Sequence, residues 1–255
     1  MMRSLTPAEW GYQTLAPQWQ VRDVAAHLLD TALRKLSLVR DGWFVESANP
    51  QTHQEVVALV NRLNQEGVTV YRRLSPTVLI ELMIGACDAS ASFHESLDPF
   101  AQATFNVSWA GEERSLNWFD TARELTERWH HQQQIRLATG RRGILTRELY
   151  HPVLDCFVRG LPHAYGHTTA PEGTNILLEI VGECGGKWVL TRGAGSWGFC
   201  REMPERVACA VRLPQEIAWR VFTKGIGRDS ARELIGIEGD QHLSGGILGL
   251  TAIVG

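Results

Sequence analysis

Glu127 and His131 lie four residues apart within Asn117 to Gly140, NWFDTARELTERWHHQQQIRLATG, a stretch with no proline and no glycine before its last residue. Such a stretch predicts one long helix with a glycine stop. The carboxylate and the imidazole then stand one turn apart on the same face. Both can bind one divalent cation. Two ligands from one helix make an incomplete site, so another element has to supply at least a third. Glutamate–histidine pairs on surface helices are commonly solvated neighbours, so the spacing alone does not establish a site. At 100° per residue, Asp120, Leu116 and Gln134 fall within about 40° of Glu127. Asp120 and Gln134 are therefore candidates to orient a bound cofactor or its ligands; each can equally be a polar residue near a helix edge. His130 points about 100° away from His131, which leaves His131 as the candidate ligand.

The elements that would position these residues follow from periodicity. Residues 1–18 contain Pro7 and Pro17 and read as an irregular lead-in. From Trp19, the text WQVRDVAAHLLDTALRKLSLVRDGW carries Val21, Val24, Ala25, Leu28, Ala32, Leu36 and Val39 at helical spacing. Asp41-Gly42 closes that helix. His27 sits on the flank of the stripe, where a lone histidine reads as a hydrogen-bonded boundary residue. Asn49-Pro50 breaks the chain. Residues 51–65 form a second helix ending before Gly67, with His53 solvated in its first turn. Ser75-Pro76 starts a third helix, with Val78, Leu79, Leu82, Met83 and Ala86 facing a core, and Asp98-Pro99 ends it. Residues 99–116 read as a loop. Four helices with compatible stripes suggest a bundle, which places metal ligands on facing helices and makes His27 a natural partner for Glu127 and His131. Thr146 to Arg159 predicts a further helix that Pro152 should kink or delay. Beyond Gly173 the pattern turns to strands, at 174–181, 187–192, 197–200, 206–213 and 234–238. CGGK at residues 184–187 reads as a hairpin turn. Pro214 opens a short helix stopped by Gly225, and DQHLSGGILGLTAIVG reads as a final helix. The expected organisation is α+β: a helical domain at 1–165 and a smaller α/β domain at 166–255.

Composition narrows the classes. The chain has 255 residues and a formal net charge of −3, which argues against a nucleic-acid binder. It has no run of eighteen apolar residues, so no membrane span is expected. MMRSLTPAEWGYQ lacks the apolar run of a signal peptide. Five scattered cysteines without a C-x-x-C pair read as reduced thiols in the cytoplasm. GGKW at Gly185 lacks phosphate-loop spacing. Gly193-Ala194-Gly195 is a turn rather than a dinucleotide fingerprint, and no G-x-S-x-G context supports a serine nucleophile. Arg220, on the short helix after Pro214, can reach a substrate carboxylate or simply be solvated.

Five pieces, in this order, resemble the mycothiol-dependent maleylpyruvate isomerase family of the wider DinB/YfiT-like metal-binding superfamily. They are WQVRDVAAHLLD at 19–30, ELTERWHHQQQIR at 124–136, HPVLDCFVRGLPHAY at 151–165, PQEIAWRVFTKGI and IEGDQHLSGGILGL. The resemblance implies a DinB-like four-helix bundle followed by a sterol-carrier-like α/β domain, with metal ligands His27, Glu127 and His131. It implies a divalent ion, zinc ahead of nickel, and a low-molecular-weight thiol such as mycothiol. The implied chemistry is cis–trans isomerisation, in which a metal-bound thiol adds to a cis double bond, allows rotation and leaves, or S-transfer to a small electrophile. Metal-lowered thiol pKa is the physical reason such an ion suits that step. Arg220 would hold substrate carboxylates. Gln134 stands where the family commonly has an aspartate. A cytoplasmic monomer or homodimer, with a small-molecule substrate and a thiol as partners, is expected. Two alternatives stay open: a non-catalytic metal- or ligand-binding module, and a hydrolase that uses metal-bound water with Asp120 as base.

Overall fold

The computed structural model describes residues 1–44 and 52–253, with the side chain of His53 outside that description. The Asn49-Pro50 break and the expected solvation of His53 therefore lie outside the described residues. The chain groups into two compact units, Met1–Asn106 with Ser115–Gly143, and Val107–Arg114 with Ile144–Ile253.

Among the described residues of the first unit the long helices are α1 (Val21–Lys35), α2 (His53–Tyr71), α3 (Pro76–Ser96) and α4 (Asn117–Ala138). α1 packs against each of the other three. Its start is fixed where the Gln20 N–H donates to Asp23 Oδ2 at 3.0 Å. After Lys35 the chain makes one π-turn, Leu36–Arg40, and closes at Gly42 with a φ of 65°. Val21, Val24, Ala25, Leu28, Leu29 and Ala32 meet Leu79, Met83 and Ala86 of α3 and Ile135 of α4 in one core. Val78 and Leu82, expected in that core, are 42% and 46% exposed. α3 buries only the Leu79–Met83–Ala86–Ser90 face, and Val78 and Leu82 are rotated off it. By length and composition α3 is apolar enough to cross a membrane, which the test for an unbroken apolar run misses; its buried face is the one packed into this core. α2 does not stop before Gly67 but continues to Tyr71. A Cβ at Gly67 would sit 2.2 Å from Asp30 Cγ, so this glycine permits close packing of α2 on α1. α4 has the predicted extent, and Gly140 follows it with a φ of 62°.

The second unit contains a mixed five-stranded sheet in the order β3-β2-β1-β4-β5. Its strands are β1 (Asn175–Val181), β2 (Gly186–Arg192), β3 (Trp197–Cys200), β4 (Cys209–Pro214) and β5 (Gly236–Gly239). β1 runs parallel to β4 and antiparallel to β2. The hairpin turn lies two residues earlier than CGGK suggested, at residues 182–185. Gly185 is required there, because a Cβ would come within 1.8 Å of the Ile180 carbonyl oxygen.

The helices of this unit are α5 (Arg147–Val158), α6 (Leu161–Ala164), α7 (Gln215–Phe222), α8 (Arg228–Glu233) and α9 (Gly245–Gly249). The boundary expected near residue 165 assigned α5 to the helical domain, whereas its contacts place it with the sheet. Tyr150 donates to the Gln215 carbonyl at 2.7 Å and accepts from the Trp219 N–H at 3.1 Å. Phe157 packs edge-on against Phe222. Pro152 lies inside α5 without delaying its start. The final segment is a 3₁₀ turn, Gln241–Ser244, and then the short α9, rather than one helix. Gly246 lets the Tyr165 ring approach to a distance a Cβ would forbid.

Candidate metal centre

Helix α4 delivers Glu127 and His131 from successive turns, and α1 presents His27 to them from the neighbouring helix. His27 Nε2 and His131 Nε2 each stand 3.0 Å from the same oxygen, Glu127 Oε1. The three candidate ligand atoms all lie within 4.8 Å of one another. Two atoms bonded to one centre at about 2 Å stand roughly 3–4 Å apart, so this is the spacing a divalent ion asks for. The two imidazole rings meet edge-on with centroids 4.7 Å apart. His27 is 2% exposed and His131 5%, while the Glu127 side chain keeps 25% of its surface in solvent.

The hydrogen bonding places a proton on one nitrogen of His131. Its Nδ1 lies 2.9 Å from Gln134 Oε1. An amide oxygen only accepts, so Nδ1 carries the proton and donates it. Its Nε2 faces a carboxylate oxygen 3.0 Å away. Two lone pairs at that distance repel unless a proton or a metal ion lies between them, and a donor set of one carboxylate and two imidazoles suits a divalent metal. Burial of His27 lowers its pKa despite the hydrogen bond it makes to Glu127. Burial would raise the Glu127 carboxyl, but His131 beside it and the hydrogen bonds from His131 and His27 hold it well below the usual range. Neutral imidazole and ionised carboxylate are the forms that bind metal. His130 lies beside the centre, its ring 4.0 Å from that of His131 and its Nδ1 3.9 Å from Glu127 Oε2. Its Nδ1 donates to the Thr126 carbonyl at 3.0 Å, and burial, followed by the charge of His131, lowers its pKa to about 3.

Gln134 thus contacts the candidate ligand His131. Asp120 does not. Its carboxylate receives Lys35 Nζ at 2.6 Å and Arg123 Nη2 at 2.6 Å. Lys35 also lies 3.5 Å from Glu124, and Arg123 donates to Glu124 at 3.1 Å. A helical wheel reports angle and not height: seven residues separate Asp120 from Glu127, about 10 Å along the axis. Burial alone would raise the Asp120 pKa; Arg123 and Lys35 reverse that and lower it. Arg220 lies in the second unit on α7, half-buried, with its Nε 3.4 Å from the Gly225 carbonyl.

One contact at the centre lay outside the sequence reading. The Trp19 ring lies tilted at 4.7 Å from the His27 ring and 6.0 Å from that of His131. The available signal was a tryptophan two residues before the helix that carries His27.

A family model described as the mycothiol maleylpyruvate isomerase N-terminal domain matches residues 1–136, just over half of the 255. No curated protein sequence matches the chain. Among solved structures it is similar to the mycothiol-dependent maleylpyruvate isomerase, at 13% identity and a TM-score of 0.47. A histidine-to-alanine mutant of that enzyme gives 12% and 0.49; each comparison covers 86% of this chain and 80% of the other. A UbiJ-SCP2 ubiquinone synthesis protein gives 12% identity and a TM-score of 0.27 over 40% of this chain and 89% of that one. Likeness at these scores does not by itself fix fold or function, so the assignment rests on the match to residues 1–136. The chain belongs to the mycothiol maleylpyruvate isomerase N-terminal domain family.

Proposed function

We propose that this chain is a metal-dependent enzyme that uses a low-molecular-weight thiol, such as mycothiol, in cis–trans isomerisation or S-transfer on a small electrophile. His27, Glu127 and His131 would hold a divalent ion, zinc before nickel, within a DinB-type four-helix bundle. When bound, such an ion lowers the pKa of a coordinated thiol or water and so supplies a nucleophile at neutral pH.

One observation carries this reading: a protonated Nδ1 on His131, held by Gln134, leaves Nε2 facing the Glu127 carboxylate at 3.0 Å. Charge accounting supports an anionic ligand. Two neutral imidazoles and one carboxylate around a dication sum to +1. The neighbouring Lys35, Arg123, Asp120 and Glu124 are mutually paired and sum to zero. A thiolate would neutralise the remainder. Burial of His27 and His131 keeps water from their rings, and the partly exposed Glu127 marks the side from which a ligand can approach. Arg220 would hold substrate carboxylates. The hydrolase alternative loses its candidate base, since Asp120 is paired with both Lys35 and Arg123.

The test is turnover of maleylpyruvate by the metal-loaded protein with and without added mycothiol. Turnover that depends on the thiol is expected. Stoichiometric metal binding with no turnover under either condition would instead favour the non-catalytic binding module.

A further inference from the structure

The two candidate histidine ligands are held in different ways. A metal-ligating histidine is ordinarily oriented by a hydrogen bond from its other ring nitrogen. His131 has that bond, to Gln134. His27 does not: its Nδ1 is buried and has no hydrogen-bond partner among the described residues. What His27 has is Trp19, whose ring lies 4.7 Å away at an interplanar angle of 39°.

Trp19 is itself firmly placed. Its backbone N–H donates to the Ala16 carbonyl at 3.0 Å. Its carbonyl accepts from Thr14 Oγ1 at 2.7 Å and from Gln13 Nε2 at 3.0 Å. The lead-in that ends in this loop is tied near the end of α4, where Arg141 Nη2 donates to the Ser4 carbonyl at 2.9 Å and Arg141 Nη1 pairs with Glu9. A fixed aromatic face against an imidazole restricts its rotation through contact area rather than through a hydrogen bond.

We propose that Trp19 is a positioning residue for the metal ligand His27, setting by ring packing the orientation that Gln134 sets for His131 by hydrogen bonding. This rests on the metal reading above. It makes the lead-in at residues 1–20 part of the centre.

The experiment uses Co(II) alone as probe, with two readouts on the full chain: affinity by competition with a chelator, and the visible absorption of the bound ion, which reports its ligand geometry. Trp19→Leu is expected to weaken Co(II) binding by roughly tenfold, at the low end of the range for groups that orient a metal ligand, and to change the spectrum. Trp19→Phe, with a smaller aromatic face, is expected to lose about threefold. A leucine variant with unchanged affinity and spectrum overturns the proposal, even if it is less stable, because stability alone is a packing effect. Should that variant not fold, an unchanged affinity and spectrum in Trp19→Phe overturns it. Wild-type protein that takes up no Co(II), or that takes it up equally well after His27→Ala, removes the metal reading and this proposal with it.

Discussion

In the helical unit the buried side chains include His27, Lys35, Asp120, Glu124, His130 and His131, together with the amides of Gln133 and Gln134. In the sheet unit, apart from the hydrogen-bonded tyrosines Tyr150 and Tyr165, the buried polar side chains among the described residues are Thr223 and Ser244, and both of these hydroxyls donate to nearby backbone carbonyls. Burying ionised groups costs several kcal/mol each unless they are paired. The sheet unit avoids that cost and is held by apolar packing. The helical unit accepts it, and it clusters the groups on α1 and α4, the two helices that carry His27, Glu127 and His131. Lys35 on α1 meets Asp120 on α4, so an ion pair joins the same helices as the candidate ligands.

This contrast can be broken from either side. The largest stability loss is expected for Phe157→Ala in the sheet unit, about 3–5 kcal/mol by chemical denaturation, because a fully buried ring leaves a cavity. Lys35→Met is expected to cost about 3 kcal/mol by the same measurement, since Asp120 keeps Arg123 as a partner but loses its buried lysine. A loss well under 1 kcal/mol for Lys35→Met would mean that the ion cluster adds little to the helical unit. Gln134→Leu is expected to leave the fold intact and weaken metal binding by roughly tenfold in a competition titration; wild-type affinity would show that the His131 tautomer needs no fixing.

The smallest effect concerns the lead-in. The hydrogen bond from Arg141 lowers the Glu9 pKa from 4.5 to about 2. A carboxyl depressed in the folded state contributes stability that is fully present above its unfolded value and is lost as pH falls through the folded one. Wild type should therefore lose a small increment of stability between pH 4.5 and 2 that Glu9→Gln lacks, visible as a difference in the slope of melting temperature against pH.

How much of this was legible in the sequence differs along the chain. α4 and its Glu127–His131 face follow from spacing, because both residues ride on one helix. That His27 joins them does not follow from periodicity, which places it only on the flank of a stripe; the resemblance supplied it. Asp120 was misplaced because angle was taken for proximity while height was ignored. α5 was assigned to the helical domain because a helix pattern does not say which layer it covers, and the Tyr150 hydroxyl, bonded to the Gln215 carbonyl, ties it to the sheet unit. Gly67 looked like a stop because glycine punctuates helices, but here it is a site of close approach to Asp30. Trp19 was invisible as a site residue because its contact is made by ring packing, which leaves no spacing signature.

The convergence of three side chains on one ion is tested most directly by metal analysis of the purified protein and of His27→Ala. One divalent ion per chain in the wild type is expected. Its loss from the variant, with affinity reduced by more than about 100-fold, is the predicted result. Equal metal content in the two proteins would contradict it.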